Sequence, residues 1–207
     1  GVRHFVYTSS MAVYGDPREL PVRETDPLTP LSFYGAGKVA AENYVRLYCR
    51  DEMAYSILRP FSVYGPGQDI TNLRQGMISI YLSQLLKSDR VIVKGSLDRF
   101  RDFIFIDDVV NAVTAVLGNT SCLGETLNLC SGIPTTVREV LDILLRHAGL
   151  DWDVVGQVSV TPGDQFGVYG DNSALVRLGH WSQVVTLQNG ISSMWDKYAQ
   201  ASEANSG

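Results

Sequence analysis

Phe5-Val-Tyr-Thr-Ser-Ser10-Met-Ala-Val-Tyr-Gly15 is the stretch from which the fold of this chain can be read. The run from Val2 to Tyr7, apolar apart from Arg3 and His4, reads as a buried strand, and it gives way at its carboxyl end to small hydroxyl residues. In open α/β sheets, ligands sit at that end of the strands. Downstream, Tyr34-Gly-Ala-Gly-Lys38 sets a tyrosine and a lysine four residues apart, a spacing that no other tyrosine of the chain repeats. Residues i and i+4 share one face of a helix. A free phenol titrates near ~10 and is protonated at neutral pH, but an ammonium within a few ångströms favours the phenolate. Tyr34 and Lys38 are therefore either a general base and its helper or an ordinary helix-surface pair, and their neighbours decide which.

The remaining sequence alternates between strand and helix signals. Val2 to Thr8 reads as a strand, and Pro17 to Ser32, rich in proline and charge, as a loop over the candidate site. A helix is expected from Tyr34 to Arg50, with Ala40, Ala41, Tyr44, Val45 and Tyr48 on its apolar face. Ser56 to Arg59 reads as a strand ended by Pro60, Gly65-Pro-Gly67 as a turn, Ile78 to Leu86 as an amphipathic helix and Val91 to Lys94 as a strand. Asp107 and Asp108 suit the cap of a helix that runs through Leu117. A short strand from Thr126 to Leu129 precedes Ser131-Gly132, and Thr136 caps a helix to His147 that turns Val137, Leu141 and Leu144 inward. Asp153 to Ser159 reads as a strand, Asn172 to Leu178 and Leu187 to Ala199 as helices, and residues 202–207 as a disordered tail. Such alternation predicts an α/β fold.

Composition narrows the function. The 207 residues are 45% hydrophobic and 19% charged, enough to bury a sizeable core. A net charge of -5 argues against electrostatic binding of nucleic acid, and no apolar run approaches the ~20 residues that span a bilayer. Cys49, Cys122 and Cys130 are odd in number and lack C-x-x-C spacing, as expected of unpaired thiols in a reducing, cytoplasmic setting. His4, His147 and His180 are scattered, and no metal site is expected.

A strand, a hydroxyl cluster and then a helix carrying Tyr-x-x-x-Lys resemble the short-chain dehydrogenase/reductase superfamily, specifically its extended branch of NAD-dependent sugar-nucleotide epimerases and dehydratases. The resemblance continues in order through Arg59-Pro-Phe-Ser-Val-Tyr-Gly-Pro-Gly-Gln68, Gly95 with Arg101-Asp-Phe-Ile-Phe-Ile-Asp-Asp108, and Pro162-Gly-Asp164 with Tyr169-Gly-Asp171. It implies an incomplete Rossmann-like, doubly wound parallel sheet with a smaller α/β substrate domain. Residues 1–64 would belong to the NAD-binding domain and carry the catalytic helix. Residues 65–201 would form mainly the nucleotide-sugar domain, with Rossmann segments interleaved near 96–130. The superfamily cradles the dinucleotide pyrophosphate on a glycine-rich turn at a helix N-terminus. Neither G-x-G-x-x-G nor G-x-x-G-x-x-G occurs here, so the chain is expected to be the C-terminal portion of a longer enzyme, inactive alone.

The resemblance also assigns roles. Tyr34 would remove a proton from a sugar hydroxyl, Lys38 would lower its pKa and bind the nicotinamide ribose, and Ser10 would bridge phenol and sugar. Ser9 would face the NAD cofactor with these two. Phe61 matches an aromatic beside the nicotinamide, or else a core residue at a strand end. Arg101 matches an arginine that pairs with the nucleotide diphosphate, or else makes a structural salt bridge. Ser62 and Asp164 would complete contact with a nucleotide-diphosphate sugar, a UDP-sugar foremost, and a homodimer is one expectation for the whole enzyme. The sugar-gate position falls at Val168. Ser62 and Thr161 depart from the family, which usually has asparagine and a second diphosphate-binding arginine there. Related dehydratases add an Asp-Glu pair to the hydroxyl cluster. This chain has Ser10-Met-Ala-Val-Tyr14 instead, which favours an epimerase. Two readings stay beside it: a reductase of nucleotide-linked 4-keto sugars or a dehydratase of the same family, and a catalytically silent module that binds a nucleotide sugar.

Overall fold

A computed structural model describes residues 1–49, 53–73, 76–159, 165–178 and 183–204. The first apolar run forms strand β1 (His4–Thr8), and Met11–Val13 then wind into one 3-10 turn. Helix α1 (Phe33–Tyr48) follows the long loop, its N-terminus closed by the Ser32 hydroxyl, which accepts the Gly35 N–H. Strands β2 (Ala54–Pro60) and β3 (Ser62–Tyr64) lead through the glycine-rich loop to α2 (Met77–Ser88). Next come β4 (Val91–Lys94), β5 (Phe100–Phe105), α3 (Ile106–Val116), β6 (Thr126–Leu129), β7 (Pro134–Thr136) and α4 (Val137–Ala148). The chain closes with β8 (Val155–Val158), β9 (Gly167–Val168), α5 (Ser173–Arg177) and α6 (Leu187–Ala204). Helix α4 shows how local sequence sets an element. Thr136 and Glu139 form a reciprocal capping box, and Gly149 at φ 67 ends the helix in the left-handed conformation.

Strands β1, β2 and β6 pair in parallel in the order β1-β2-β6. Side chains alternate across the faces of this sheet. Ile57 packs with Val45 of α1 and Cys49 at its end on one face, while Leu58, Leu127 and Leu129 pack with Ala112, Val116 and Leu175 on the other. Helices on both faces of a parallel sheet are the Rossmann-like, doubly wound arrangement. Strand β5 is the hub of a second sheet, parallel to β3 and β9 but antiparallel to β7. Strands β4 and β8 pair separately. Helices α2, α4 and α6 enclose a second core around Tyr64, Leu82, Phe103, Leu141 and Met194. Among the described residues no helix is long and apolar enough to cross a membrane.

Five expectations need correction. Strand β1 is only partly buried, with Phe5 40% exposed. In α1, Tyr44 and Tyr48 are 61% and 80% exposed, and the buried residues are Gly35, Glu42 and Val45. Helix α3 starts at Ile106, so Asp107 and Asp108 lie in its first turn and make no side-chain cap. The Asp108 carboxylate, 1% exposed, instead accepts the N–H groups of Val184 and Val185 at 3.0 and 3.1 Å. The strand expected from Asp153 begins at Val155, because Trp152–Val154 form a 3-10 turn. Helix α6 reaches Ala204, so residues 202–204 are helical where a disordered tail was expected, in keeping with the helix-forming Ala201-Ser-Glu-Ala204. Residues 205–207 lie outside the described residues.

Candidate active site

The carboxyl end of β1 and the first turns of α1 meet because of one glycine. A Cβ on Gly35 would overlap the Ala12 carbonyl oxygen and stand 2.9 Å from Pro30 Cβ. A hydrogen there lets α1 seat directly on the 3-10 turn. This contact brings Tyr34 and Lys38 to the residues that follow β1. Lys38 Nζ donates to the Thr8 carbonyl at 2.7 Å and stands 5.1 Å from the Tyr7 ring centroid and 5.6 Å from that of Tyr34. Tyr34 is 60% exposed. The Ser10 hydroxyl accepts the Ala12 N–H at 3.2 Å, which leaves its own proton free to donate.

A cavity of about 550 Å³ opens over this junction. Ser10, Tyr34 and Lys38 border one side, and Phe61, Ser62 and Arg101 border another. Phe61 is a core residue at its strand end that also borders the cavity. It is 5% exposed and packs with Val13, Tyr14, Val22 and Cys130, yet it also forms part of the wall. Arg101 lies on β5, and backbone carbonyls fix its guanidinium. It donates through Nη1 to Phe100 at 2.7 Å and through Nη2 to Gln165 at 2.9 Å. Burial first, and then the neighbouring Arg99 charge, lower its pKa from the usual guanidinium value. Gln165 also reaches the Gly15 carbonyl with its side chain, which ties the distal loop to the turn after β1. Asp164 and Thr161 lie outside the described residues.

Two residues depart from the sequence reading. Ser9 borders the cavity, but its hydroxyl is turned inward and donates to Glu42 Oε1 at 2.6 Å, with the residue 2% exposed. Its hydroxyl is thus engaged within the protein, while the residue still borders the cavity. Successive side chains of an extended segment point to opposite sides, so the two serine hydroxyls find different partners although both residues border the cavity. Val168, expected as the sugar gate, is 1% exposed and buried against the Phe61 cluster rather than on the cavity wall.

The partner of Ser9 belongs to a buried network that the sequence reading did not single out. Glu42 is fully buried on α1, one turn beyond Lys38. Arg59 on β2 grips its carboxylate with Nε at 2.9 Å and Nη2 at 2.7 Å, and Arg46 adds a bond at 3.0 Å. Burial alone would raise the Glu42 pKa, but the hydrogen bonds from Arg59 and Ser9 and the Arg59 charge outweigh it and lower the pKa. Arg59 Nη1 also donates to the Tyr14 hydroxyl at 2.8 Å, which donates to Asn128 Oδ1 at 2.6 Å. The available signal was a charge, Arg59, directly after the apolar Ile57-Leu58, and a second, Glu42, one turn beyond Lys38 on the Tyr34-Lys38 face. Such residues are rarely fully buried unless paired.

Comparison with known proteins places this geometry. Residues 1–130 match the NAD dependent epimerase/dehydratase family. A UDP-glucose 4-epimerase of Mycolicibacterium smegmatis is 37% identical over 142 residues, which cover 68% of this chain and 45% of that protein. The crystal structure of UDP-glucose 4-epimerase from Thermotoga maritima with UDP-glucose superposes with a TM-score of 0.90 at 27% identity, covering 97% of this chain and 65% of that one. The Thermus thermophilus UDP-glucose 4-epimerase in complex with NAD gives a TM-score of 0.84 at 29% identity, covering 96% and 65%. The chain spans 45% to 59% of the length of the first curated relatives that it matches.

Proposed function

This chain belongs to the NAD dependent epimerase/dehydratase family, and on that premise we propose that the protein is a nucleotide-sugar 4-epimerase of the UDP-glucose 4-epimerase kind. One observation carries the reading: a single cavity joins Ser10, Tyr34 and Lys38 to Arg101 and Ser62. The first three suit proton transfer at a sugar hydroxyl, and the last two suit a diphosphate. Among the described residues the cavity wall holds no carboxylate. Eliminating water calls for an additional acid and base, whereas inverting one carbinol centre does not.

The residues present fit the nicotinamide-ribose end of the cofactor. Lys38 uses one N–H on the Thr8 carbonyl and keeps two for ribose hydroxyls, beside the exposed Tyr34. NAD held by these residues would supply the hydride acceptor of the first half-reaction and the hydride donor of the second. The Tyr34 oxygen takes the hydroxyl proton in the first half of the cycle and gives it back in the second. Ser10, its oxygen engaged by the Ala12 N–H, directs its proton toward the phenolic or sugar oxygen. Arg101, held by the carbonyls of residues 100 and 165, brings a guanidinium charge to the cavity wall, which suits a diphosphate. The same reading divides the chain. The core around Leu58, Ile104 and Leu127 belongs to the cofactor domain, with its 96–130 segment interleaved, and the α2-α4-α6 core belongs to the substrate domain.

Tyr34→Phe in the full-length protein tests this function, since it removes only the phenolic oxygen. Interconversion of UDP-glucose and UDP-galactose should fall by about 10² to 10⁴ fold with the circular dichroism spectrum unchanged. Near-normal turnover would overturn the assignment, and net consumption of reduced cofactor by the wild type would indicate a reductase.

A further inference from the structure

Behind the turn that carries Ser10 lie a carboxylate and a guanidinium almost wholly removed from water. Glu42 has no exposed surface, and Arg59 is 2% exposed. Desolvating an ion pair offsets most of its attraction, and apolar residues of similar volume often serve stability as well. The distinctive property of the pair is direction. Oε1 of Glu42 accepts from Ser9 Oγ at 2.6 Å and Arg59 Nε at 2.9 Å, and Oε2 accepts from Arg59 Nη2 at 2.7 Å and Arg46 Nη2 at 3.0 Å. Four charge-assisted bonds fix the plane of the carboxylate, and the carboxylate fixes the Ser9 side chain. One helical turn earlier, Lys38 bonds the Thr8 carbonyl at 2.7 Å. Helix α1 is thereby stitched to two consecutive residues, Thr8 through Lys38 and Ser9 through Glu42, and the next residue is Ser10. An apolar pair would fill the same space without setting that register.

We propose that Ser9 and Glu42, clamped by Arg59, are positioning residues that hold the Ser10 hydroxyl in line with Tyr34 and Lys38. The inference rests on the reading of Tyr34 as the general base. Ser9 is the link to cut, since removing its hydroxyl leaves Glu42 bound to Arg59 and strands no buried charge.

The test compares Ser9→Ala, Ser9→Thr and Glu42→Asp in the full-length protein, by steady-state kinetics and thermal unfolding. Loosening an aligned site by about 1 Å lowers turnover by up to ~10² fold, so Ser9→Ala should lower kcat by about ten- to a hundredfold with KM within about twofold. Ser9→Thr, which keeps the hydroxyl, should recover most of the lost kcat. Glu42→Asp keeps the charge opposite Arg59 but withdraws the carboxylate by one methylene, and should lower kcat in the same way with the fold retained. A merely structural hydrogen bond would lower the melting temperature and leave kcat alone. Wild-type kcat in both Ser9→Ala and Glu42→Asp would overturn the proposal whatever the melting temperatures show. Tyr34→Phe run alongside separates the two failures. Retained activity there removes the general base, whereas its loss beside an unaffected Ser9→Ala removes the positioning role alone.

Discussion

Two glycines lie in the first turns of α1, and the structure predicts opposite consequences for replacing them with alanine. A Cβ on Gly35 would stand 2.9 Å from Pro30 Cβ and 3.1 Å from the Ala12 carbonyl carbon. Carbon atoms in comfortable contact stand about 3.5 to 4.0 Å apart, so α1 or the 3-10 turn must move by roughly 0.5 to 1 Å. Overpacking of this size costs about 1 to 3 kcal/mol. Alanine returns up to about 1 kcal/mol through helix propensity. The net loss of stability is then about 0 to 3 kcal/mol, which a folded protein of this size tolerates. Turnover should suffer more, because the displaced contact is the one that sets Tyr34 and Lys38 against Ser10. A shift near 1 Å lowers kcat by up to ~10² fold. Around Gly37 nothing lies within 4 Å of the built Cβ. Gly37→Ala should therefore stabilise the protein by about 0.5 to 1 kcal/mol and leave kcat unchanged. Thermal unfolding and steady-state epimerisation of the two variants in the full-length protein check both halves. Wild-type kcat in Gly35→Ala would refute the claim that this contact aligns the site. A destabilised Gly37→Ala would refute the open space assigned to that face.

Arg101→Ala should raise KM for the nucleotide sugar more than it lowers kcat, with a loss of about 2 to 4 kcal/mol in kcat/KM, and Arg101→Lys should recover only part because an ammonium lacks the planar fork. Steady-state kinetics decide, and an unchanged KM in Arg101→Ala would leave the residue to its contacts with the 165–166 carbonyls. The Glu42 pKa is lowered on folding, so its pairing contributes stability above the unfolded carboxyl pKa of about 4.3, and that stability is lost as pH falls through the folded value. The stability gap between wild type and Glu42→Gln in denaturant titrations should therefore narrow as pH drops from about 6 to about 3. A gap that stays constant over that range would contradict the buried ionised state.

Local rules reached some elements because local chemistry determines them. Helix α4 was legible in Thr136 and in the inward spacing of Val137, Leu141 and Leu144, and the structure adds the Glu139 bond and the Gly149 end. The Tyr34-Lys38 face was legible because four residues make about one helical turn. Elements that owe their existence to distant partners were not. Strands β7 and β9 have three and two residues, and both are defined by pairing with β5, in β9 from more than sixty residues away. Asp108 carries the local signature of a cap, but folding brings it two backbone N–H groups 76 and 77 residues downstream. Burial of unsatisfied donors is costly, so the distant bonds prevail over the local preference.

Ser9 shows how the same conflict bears on function. Read locally, two adjacent serines at a strand end are interchangeable candidates for one cavity. The extended backbone sends them to opposite sides, so the fold has to use one of them internally. Glu42 supplies the use: its buried carboxylate needs donors, and Ser9 is the hydroxyl within reach on α1's side of the turn. The charge that had to be satisfied in the core and the hydroxyl that had to be turned away from the cavity thus resolve each other. The remaining serine, Ser10, borders the cavity with Tyr34, next in sequence to a Ser9 held by a buried, charge-assisted bond.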